Sequence, residues 1–297
     1  MDAEMLTPAQ KYRRALKDLS VDDRLIMRLE RRILKNPKKW ATAATRVQSF
    51  GRSSAAKQRT AVLKAQAELF SKINERIARA LDALRWRRYD DAMMEADAAL
   101  KLNPSCIEAF RVRGHVHLAR KLFVEAAAEY SSVLAINRKH LECRHGRARC
   151  NASLEKWDDA MDDLAILMDL DGTTGDYWHL RALIRSKLRL WQEAAVDFGK
   201  VIALGDRSCA AYIRRGMAEA SAQRWLAAVG TFSDALRREE RSVTALVLRG
   251  RAYCCLRKWD LAEQDFNKAL KIDPASADAT AGLEVVFTPH LPLPLTD

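Results

Sequence analysis

The sequence predicts an all-α fold, a solenoid of helix hairpins with a helical extension at its N-terminal end. A large aromatic residue recurs every 34 residues, which indicates a repeated unit of two helices. The chain has 297 residues, and its 11 glycines and 7 prolines are few, which favours helices. The recurring aromatic residues are Tyr89, Phe123, Trp157, Trp191, Trp225 and Trp259.

Six blocks of 34 residues align without insertion or deletion, starting at residues 73, 107, 141, 175, 209 and 243 and ending at residue 276. Within each block, position 8 is small, position 20 is alanine and position 24 is mostly bulky. Small residues at positions 8 and 20 let two antiparallel helices approach closely. Because one hairpin cannot bury its own apolar face, neighbouring hairpins must stack. Position 8 holds Ala80, Gly114, Ala148, Ala182, Gly216 and Gly250.

This pattern resembles the tetratricopeptide repeat, and the resemblance covers about two-thirds of the chain. It implies a right-handed superhelix in which the first helix of each hairpin lines a concave groove, chiefly through positions 2, 5, 9, 12 and 13. It also implies an interaction scaffold without catalytic activity or cofactor. The sequence contains no glycine-rich phosphate loop, HExxH or GxSxG motif, which agrees with that expectation.

Four segments follow in chain order. Residues 1–72 are predicted to form a basic helical extension, and the absence of Gly and Pro from Ser54 to Trp86 predicts one long helix that runs into the first repeat. The six repeats occupy residues 73–276. Residues 277–287 begin a seventh unit but place Glu284 at position 8, which predicts a single capping helix. The proline-rich residues 288–297 predict an extended, disordered tail.

Position 7 departs from the family pattern, because it is arginine rather than leucine in all six blocks. Position 23 is acidic in five blocks, with Thr231 as the exception. If the hairpin turns near position 15, positions 7 and 23 are equally far from the turn and face each other. This pattern predicts structural ion pairs, and an arginine ladder that binds a ligand is the alternative. The clearest predicted pairs are Arg147 with Asp163, Arg181 with Asp197, and Arg249 with Asp265.

Cysteine usage and hydropathy limit the class of protein. The six cysteines form no CxxC pair and lie in helical patterns, which predicts reduced thiols that fill small gaps in the core. The alternative is a zinc site formed by His140, Cys143, His145 and Cys150. No apolar run approaches the ~18 residues of a membrane span, and no signal-peptide pattern begins the sequence. We therefore expect a cytoplasmic protein.

The predicted groove is rich in histidine and arginine in its middle repeats, and positions 12 and 13 beside them are often small. This combination predicts a site for an acidic or carboxylate-bearing peptide, flanked by an apolar stretch. The alternative is a solvated helical face. The predicted site residues are Arg111, His115, His145, Arg149, His179, Ile213 and Met217.

The net charge of +12 is concentrated in residues 1–72, which carry 17 Lys and Arg against 7 Asp and Glu. In this segment Val47, Gln48, Arg52 and Lys57 match the spacing of the IQ motif, which binds calmodulin and related light chains. One alternative is a solvated basic helix that packs on the first repeat. RNA or an acidic cytoskeletal surface is another partner for this charge, although no recognisable nucleic-acid module accompanies it.

Overall fold

The computed structural model describes residues 54–287, which contain thirteen α-helices and no strand. They belong to two compact units: unit 1 extends to Arg138, and unit 2 begins at Lys139. Unit 1 contains α1 (Ser54–Arg85), α2 (Tyr89–Leu102), α3 (Ile107–Ala119) and α4 (Phe123–Ile136). Unit 2 contains α5 (Leu141–Ser153), α6 (Trp157–Leu170), α7 (Gly175–Lys187), α8 (Trp191–Ala203), α9 (Cys209–Ser221), α10 (Trp225–Arg238), α11 (Val243–Cys255), α12 (Trp259–Ile272) and α13 (Ala277–Phe287).

The helix bounds follow the 34-residue frame. The first helices of repeats 2 to 6 begin at residues 107, 141, 175, 209 and 243, as predicted, and every second helix begins at its recurring aromatic residue. The first repeat takes its first helix from the end of α1, the long helix predicted from Ser54. The single helix α13 has the bounds predicted for the cap. Predictions for residues 1–53 and 288–297 lie outside the described residues.

Each hairpin turns at position 15 in the left-handed helical conformation, with φ between 57° and 60°. The backbone N–H of the following residue, at position 16, donates to the carbonyl five residues earlier. Leu122, for example, donates to His117 at 2.9 Å, and this hydrogen bond closes the end of the first helix. Glycine is the residue that adopts this conformation most easily, yet the sequence has none here. The sequence therefore predicted a turn at this position but not its left-handed backbone conformation. Its residues are Arg87, Lys121, Glu155, Arg189, Gln223 and Arg257.

Positions 8 and 24 of each hairpin are complementary in size. A Cβ atom on Gly216 would lie 2.5 Å from Cε1 of Phe232, and Gly114 and Gly250 meet Tyr130 and Phe266 in the same way. Repeats with alanine at position 8 carry Ala96 or Leu164 at position 24, apart from the pair Ala182 and Phe198.

The cap uses a different residue for the same purpose. Gly282 of α13 lies against the ring of Phe266, which also meets Gly250 of its own hairpin.

The three ion pairs predicted between positions 7 and 23 are confirmed. Arg181 donates from Nε and Nη2 to the two carboxylate oxygens of Asp197, at 2.9 and 2.7 Å. Arg147 binds Asp163 and Arg249 binds Asp265 in the same two-point manner. The three aspartates are at most 3% exposed, so the pairs belong to the interior rather than to the surface.

Two repeats depart from the pairing. In repeat 1, Arg79 pairs with Glu75 on its own helix, and Glu95 at position 23 is bound by Arg76 instead. In repeat 5 the buried carboxylate comes from Glu219 on the first helix, which accepts hydrogen bonds from Arg215 and Thr231. Thr231 at position 23 therefore donates a hydrogen bond, because the carboxylate of this hairpin lies on the first helix.

No helix within residues 54–287 is both long enough and apolar enough to cross a membrane.

Candidate functional site

The predicted site residues of unit 2 lie on α5, α7 and α9, the first helices of repeats 3 to 5. Positions 5 and 9 are one helical turn apart, so they lie on the same face of each helix. We call this surface the A-face. It is formed by the residues at positions 5 and 9, together with Arg214 at position 6, which acts on the pKa of His179. The residues at positions 5 and 9 are His145, Arg149, His179, Leu183, Ile213 and Met217.

The A-face carries two exposed arginines, Arg149 and Arg214, that have no ion pair among the described residues. Other arginines at positions 5 and 9 are already neutralised. Arg251 binds Asp278 of the capping helix at 2.7 Å, and in unit 1 Arg111 binds Glu108 at 2.7 Å. Arg149 and Arg214 are therefore the cations that the A-face offers to a ligand.

The two histidines of the A-face are half-buried against aromatic rings. The ring of His145 lies 5.1 Å from that of Tyr177, edge to face, and His179 lies 5.9 Å from Phe198. Burial lowers the pKa of both histidines, and Arg149 lowers that of His145 further. The arginine that acts on the pKa of His179 is Arg214 of the next repeat. Both histidines are consequently neutral at pH 7.

The Nε2 atom of His179 is buried and has no hydrogen-bond partner among the described residues. A buried polar atom without a partner is unfavourable, and a ligand that supplies one would relieve the cost.

Two carboxylates that were not among the predicted site residues, Asp176 and Asp206, lie near these histidines. Asp176 raises the pKa of both His145 and His179, and Asp206 raises that of His179, against the larger effect of burial. Asp176 occupies position 2, one of the groove positions of the family, so its place was a usable signal. The face is therefore mixed in charge rather than purely basic.

The apolar part of the A-face is Leu183 and Met217, which are 41% and 49% exposed. Ile213, predicted as part of this stretch, is half-buried and packs against the core around Leu246 and Phe266. Leu183 on α7 and Met217 on α9 therefore form the exposed apolar surface of the A-face, and Ile213 belongs mainly to the core.

The other two predicted site residues, Arg111 and His115, belong to unit 1 and not to the A-face. Arg111 is held by Glu108, as described above, and the ring of His115 lies 5.8 Å from that of Tyr130, edge to face. Of the IQ-like residues, Val47, Gln48 and Arg52 lie outside the described residues, as does the side chain of Lys57 on α1.

The described structure does not bring the four residues of the zinc alternative together as metal ligands. Nδ1 of His140 accepts a hydrogen bond from the backbone N–H of Cys143 and caps α5. Cys143 and Cys150 are buried, and burial raises the pKa of Cys150 to about 11, so this thiol stays protonated. Within the described part of the chain, no group of three His, Cys, Asp or Glu side chains could hold a metal ion.

Comparison with solved structures shows the same fold at low sequence identity. The TPR protein YrrB, whose structure is described as having an unusual peptide-binding site, has a TM-score of 0.57 and 16% identity over 64% of this chain and 97% of its own. PilF of Pseudomonas aeruginosa has a TM-score of 0.57 and 14% identity over 73% of this chain and 99% of its own. The type IV pilus biogenesis factor PilW has a TM-score of 0.57 and 17% identity over 71% and 98%.

Comparison of sequences identifies the repeat directly. No curated protein matches the chain. Family models of the tetratricopeptide repeat match residues 77–140 and 243–276, and the repeats between them keep the same frame and the same hairpin. Residues 77–140 and 243–276 are therefore tetratricopeptide repeats, and the chain has the fold of the solved tetratricopeptide-repeat structures.

Proposed function

We propose that the chain holds an acidic peptide segment against the A-face of unit 2. Two exposed arginines without a described ion pair and two exposed apolar side chains lie on this one face, and this combination supports the proposal. Arg149 and Arg214 would bind carboxylates through two-point hydrogen bonds. Leu183 and Met217 would cover an apolar side chain of the ligand, and the flexible thioether of Met217 would adapt to its shape.

The ligand that fits this arrangement is a segment in which acidic residues flank a large apolar one. His145 and His179 would contribute as neutral partners at pH 7 and as cations at lower pH. Asp176 would repel a purely acidic ligand, so the apolar residue is part of the recognition rather than an accessory. The peptide-binding site named for YrrB supports the proposal at the level of the fold alone.

The test uses a fluorescein-labelled synthetic peptide in which glutamates flank leucine, with a matched peptide in which glutamine replaces each glutamate. Fluorescence anisotropy measures the Kd of each peptide for the full chain. We expect the glutamate peptide to bind and the double variant Arg149→Gln, Arg214→Gln to weaken it about tenfold or more, the effect of losing one or two charged hydrogen bonds.

The matched control is the double variant Arg224→Gln, Arg257→Gln. These two arginines of unit 2 are exposed, have no described ion pair and lie at hairpin turns away from the A-face. The control removes the same charge, so it should change the Kd less than about twofold. Equal weakening in both variants, or no saturable binding of the glutamate peptide, would count against the A-face as the binding surface.

A second part of the proposal concerns the basic segment of residues 1–72, which would dock an acidic partner. The IQ-like residues Val47, Gln48, Arg52 and Lys57 make a calmodulin-like protein the candidate to test. RNA remains the alternative partner for this segment, and its binding would fall steeply with salt. Titrating calmodulin and RNA separately into the full chain and into a Val47→Ala, Gln48→Ala variant separates the two partners, because this change disrupts the motif and leaves the basic charge that RNA would bind.

A further inference from the structure

The hairpin turns of repeats 1 and 2 form a shallow cavity of about 290 Å³ in unit 1. It has no part in the A-face, which belongs to unit 2. Three arginines, one tyrosine and two aspartates line it. They are Arg87, Arg88, Tyr89, Asp90, Asp91 and Arg120.

The arginines of this cavity are only partly neutralised. Arg87 has no ion pair among the described residues, and the neighbouring exposed Arg85 and Lys121 have none either. Arg88 lies 3.6 Å from Asp82 and 3.4 Å from Asp91, both exposed contacts. Arg87, Arg85 and Lys121 therefore offer an anion in or near the cavity positive charge that no described carboxylate neutralises.

The closest ion pair in the cavity can be exchanged. Arg120 binds Asp90 at 2.7 Å, but the side chain of Asp90 is 95% exposed. Exposed ion pairs contribute little to stability, so an incoming anion can replace this carboxylate on Arg120. Asp90 and Asp91 still oppose an anion, which leaves Arg87 as the residue on which binding depends most.

Aromatic side chains accompany these arginines. Trp86, which precedes the cavity residue Arg87, is 68% exposed, an unusual state for so large an apolar side chain. Tyr89 lines the cavity, and the guanidinium of Arg120 lies 5.9 Å from the centre of its ring. Trp86 is thus an exposed aromatic residue next in sequence to the unpaired Arg87, and an exposed ring beside a cation is the combination on which a nucleic-acid base stacks while its phosphate is bound.

We propose that this cavity binds a nucleotide, with its phosphate on Arg87 and Arg120 and its base on the indole of Trp86. The nucleotide comes either as a free mononucleotide or as one residue of a single strand. Both forms present a phosphate and a base to the same residues. The site differs from the basic segment of residues 1–72, because it is built from the turns of folded repeats.

The test measures binding of a short fluorescein-labelled single-stranded RNA to the full chain by anisotropy, with AMP as competitor. We expect Arg87→Asn to raise the Kd about tenfold. Asparagine tolerates the left-handed conformation at this position, so the turn is kept. The matched control is Arg189→Asn, which removes the same charge at the same repeat position, with φ of 60°, and should change the Kd less than about twofold.

Two further arms identify the ligand. Trp86→Ala should weaken RNA binding at least about fivefold, the low end for loss of one stacked base, and should leave inorganic polyphosphate binding unchanged. Competition by AMP identifies a free nucleotide as sufficient, and competition by an oligonucleotide alone identifies a strand.

Photo-cross-linking followed by mass spectrometry then locates the RNA, and we expect the cross-link at Trp86 or Tyr89. Cross-links confined to residues 1–53, equal losses for Arg87→Asn and Arg189→Asn, or competition by a phosphoserine peptide but not by nucleotides would each overturn the proposal.

Discussion

At the scale of single residues, the buried aspartates differ in how many arginines hold them. Asp197 is bound by Arg181 and also by Arg185, both at 2.7 Å. Asp163 is bound by Arg147 and Arg144. Among the described residues, Asp265 forms an ion pair with Arg249 alone, at 2.7 Å. Removing one arginine should therefore have different consequences in repeats 4 and 6.

We expect Arg249→Met to lower the free energy of unfolding by about 3 kcal/mol, because it leaves the carboxylate of Asp265 buried without its cation. Arg181→Met should cost about 1 to 2 kcal/mol, since Arg185 still neutralises Asp197. Methionine keeps most of the apolar stem of arginine, so lost packing contributes little. Urea unfolding followed by circular dichroism measures both variants, which lie in the same unit.

Adding Asp265→Leu to Arg249→Met should recover most of the loss, because no buried charge is then left unpaired. Equal costs for Arg181→Met and Arg249→Met would contradict the role given to Arg185.

At the scale of the helix hairpin, the size match between positions 8 and 24 sets how closely the two helices approach. We expect Gly216→Ala to lower the free energy of unfolding by about 1 to 3 kcal/mol, because its Cβ would overlap the ring of Phe232. The matched control is Gly230→Ala in the same hairpin, where a Cβ meets nothing within 4 Å. It should raise the free energy of unfolding by about 0.5 to 1 kcal/mol, since alanine favours helix over glycine.

Chemical denaturation of the two alanine variants and the wild type gives the comparison directly. A Gly216→Ala variant as stable as Gly230→Ala would show that the ring of Phe232 moves aside at no cost, as the pair Ala182 and Phe198 suggests is possible in repeat 4. Phe198 there is slightly exposed and lies beside His179, whereas Phe232 is fully buried.

At the scale of the whole molecule, ligand binding on unit 2 should be linked to proton uptake. In the free protein, burial and the neighbouring arginines Arg149 and Arg214 hold the pKa of His145 and His179 below the ordinary value. A carboxylate of a bound peptide raises these pKa values, so the complex binds protons that the free protein does not. Affinity for the glutamate peptide should therefore rise as pH falls from about 7.5 to about 6.

The expected rise is about twofold to fivefold, because Asp176 and Asp206 already supply part of the counter-charge. Below about pH 5 the peptide's own carboxylates begin to protonate and the gain is lost. Anisotropy at several pH values, on the wild type and on His145→Gln, His179→Gln, measures the linkage, and His115→Gln in unit 1 is the comparison variant. The same rise in the double variant would remove these histidines from the mechanism.

The amino-acid sequence was sufficient to predict the hairpin frame, the aromatic start of each second helix and the three arginine–aspartate pairs. These follow from spacing within one repeat, because residues on two antiparallel helices joined by a short turn meet at fixed separations. The long helix α1 and the single last helix follow instead from the absence of glycine and proline after Ser54 and from Glu284 at position 8. The histidine-rich face of repeats 3 and 4 was also predictable, since positions 5 and 9 lie on the same side of each helix.

Which of these charges are available to a ligand could be read only from the packing of the helices. For Arg251 the partner comes from another helix: Asp278 of the cap neutralises it, while no described residue forms an ion pair with Arg149. The same holds for Gly282 of the cap, which receives Phe266 of the preceding hairpin. Such contacts join residues far apart in the repeat numbering, so spacing along one helix does not contain them.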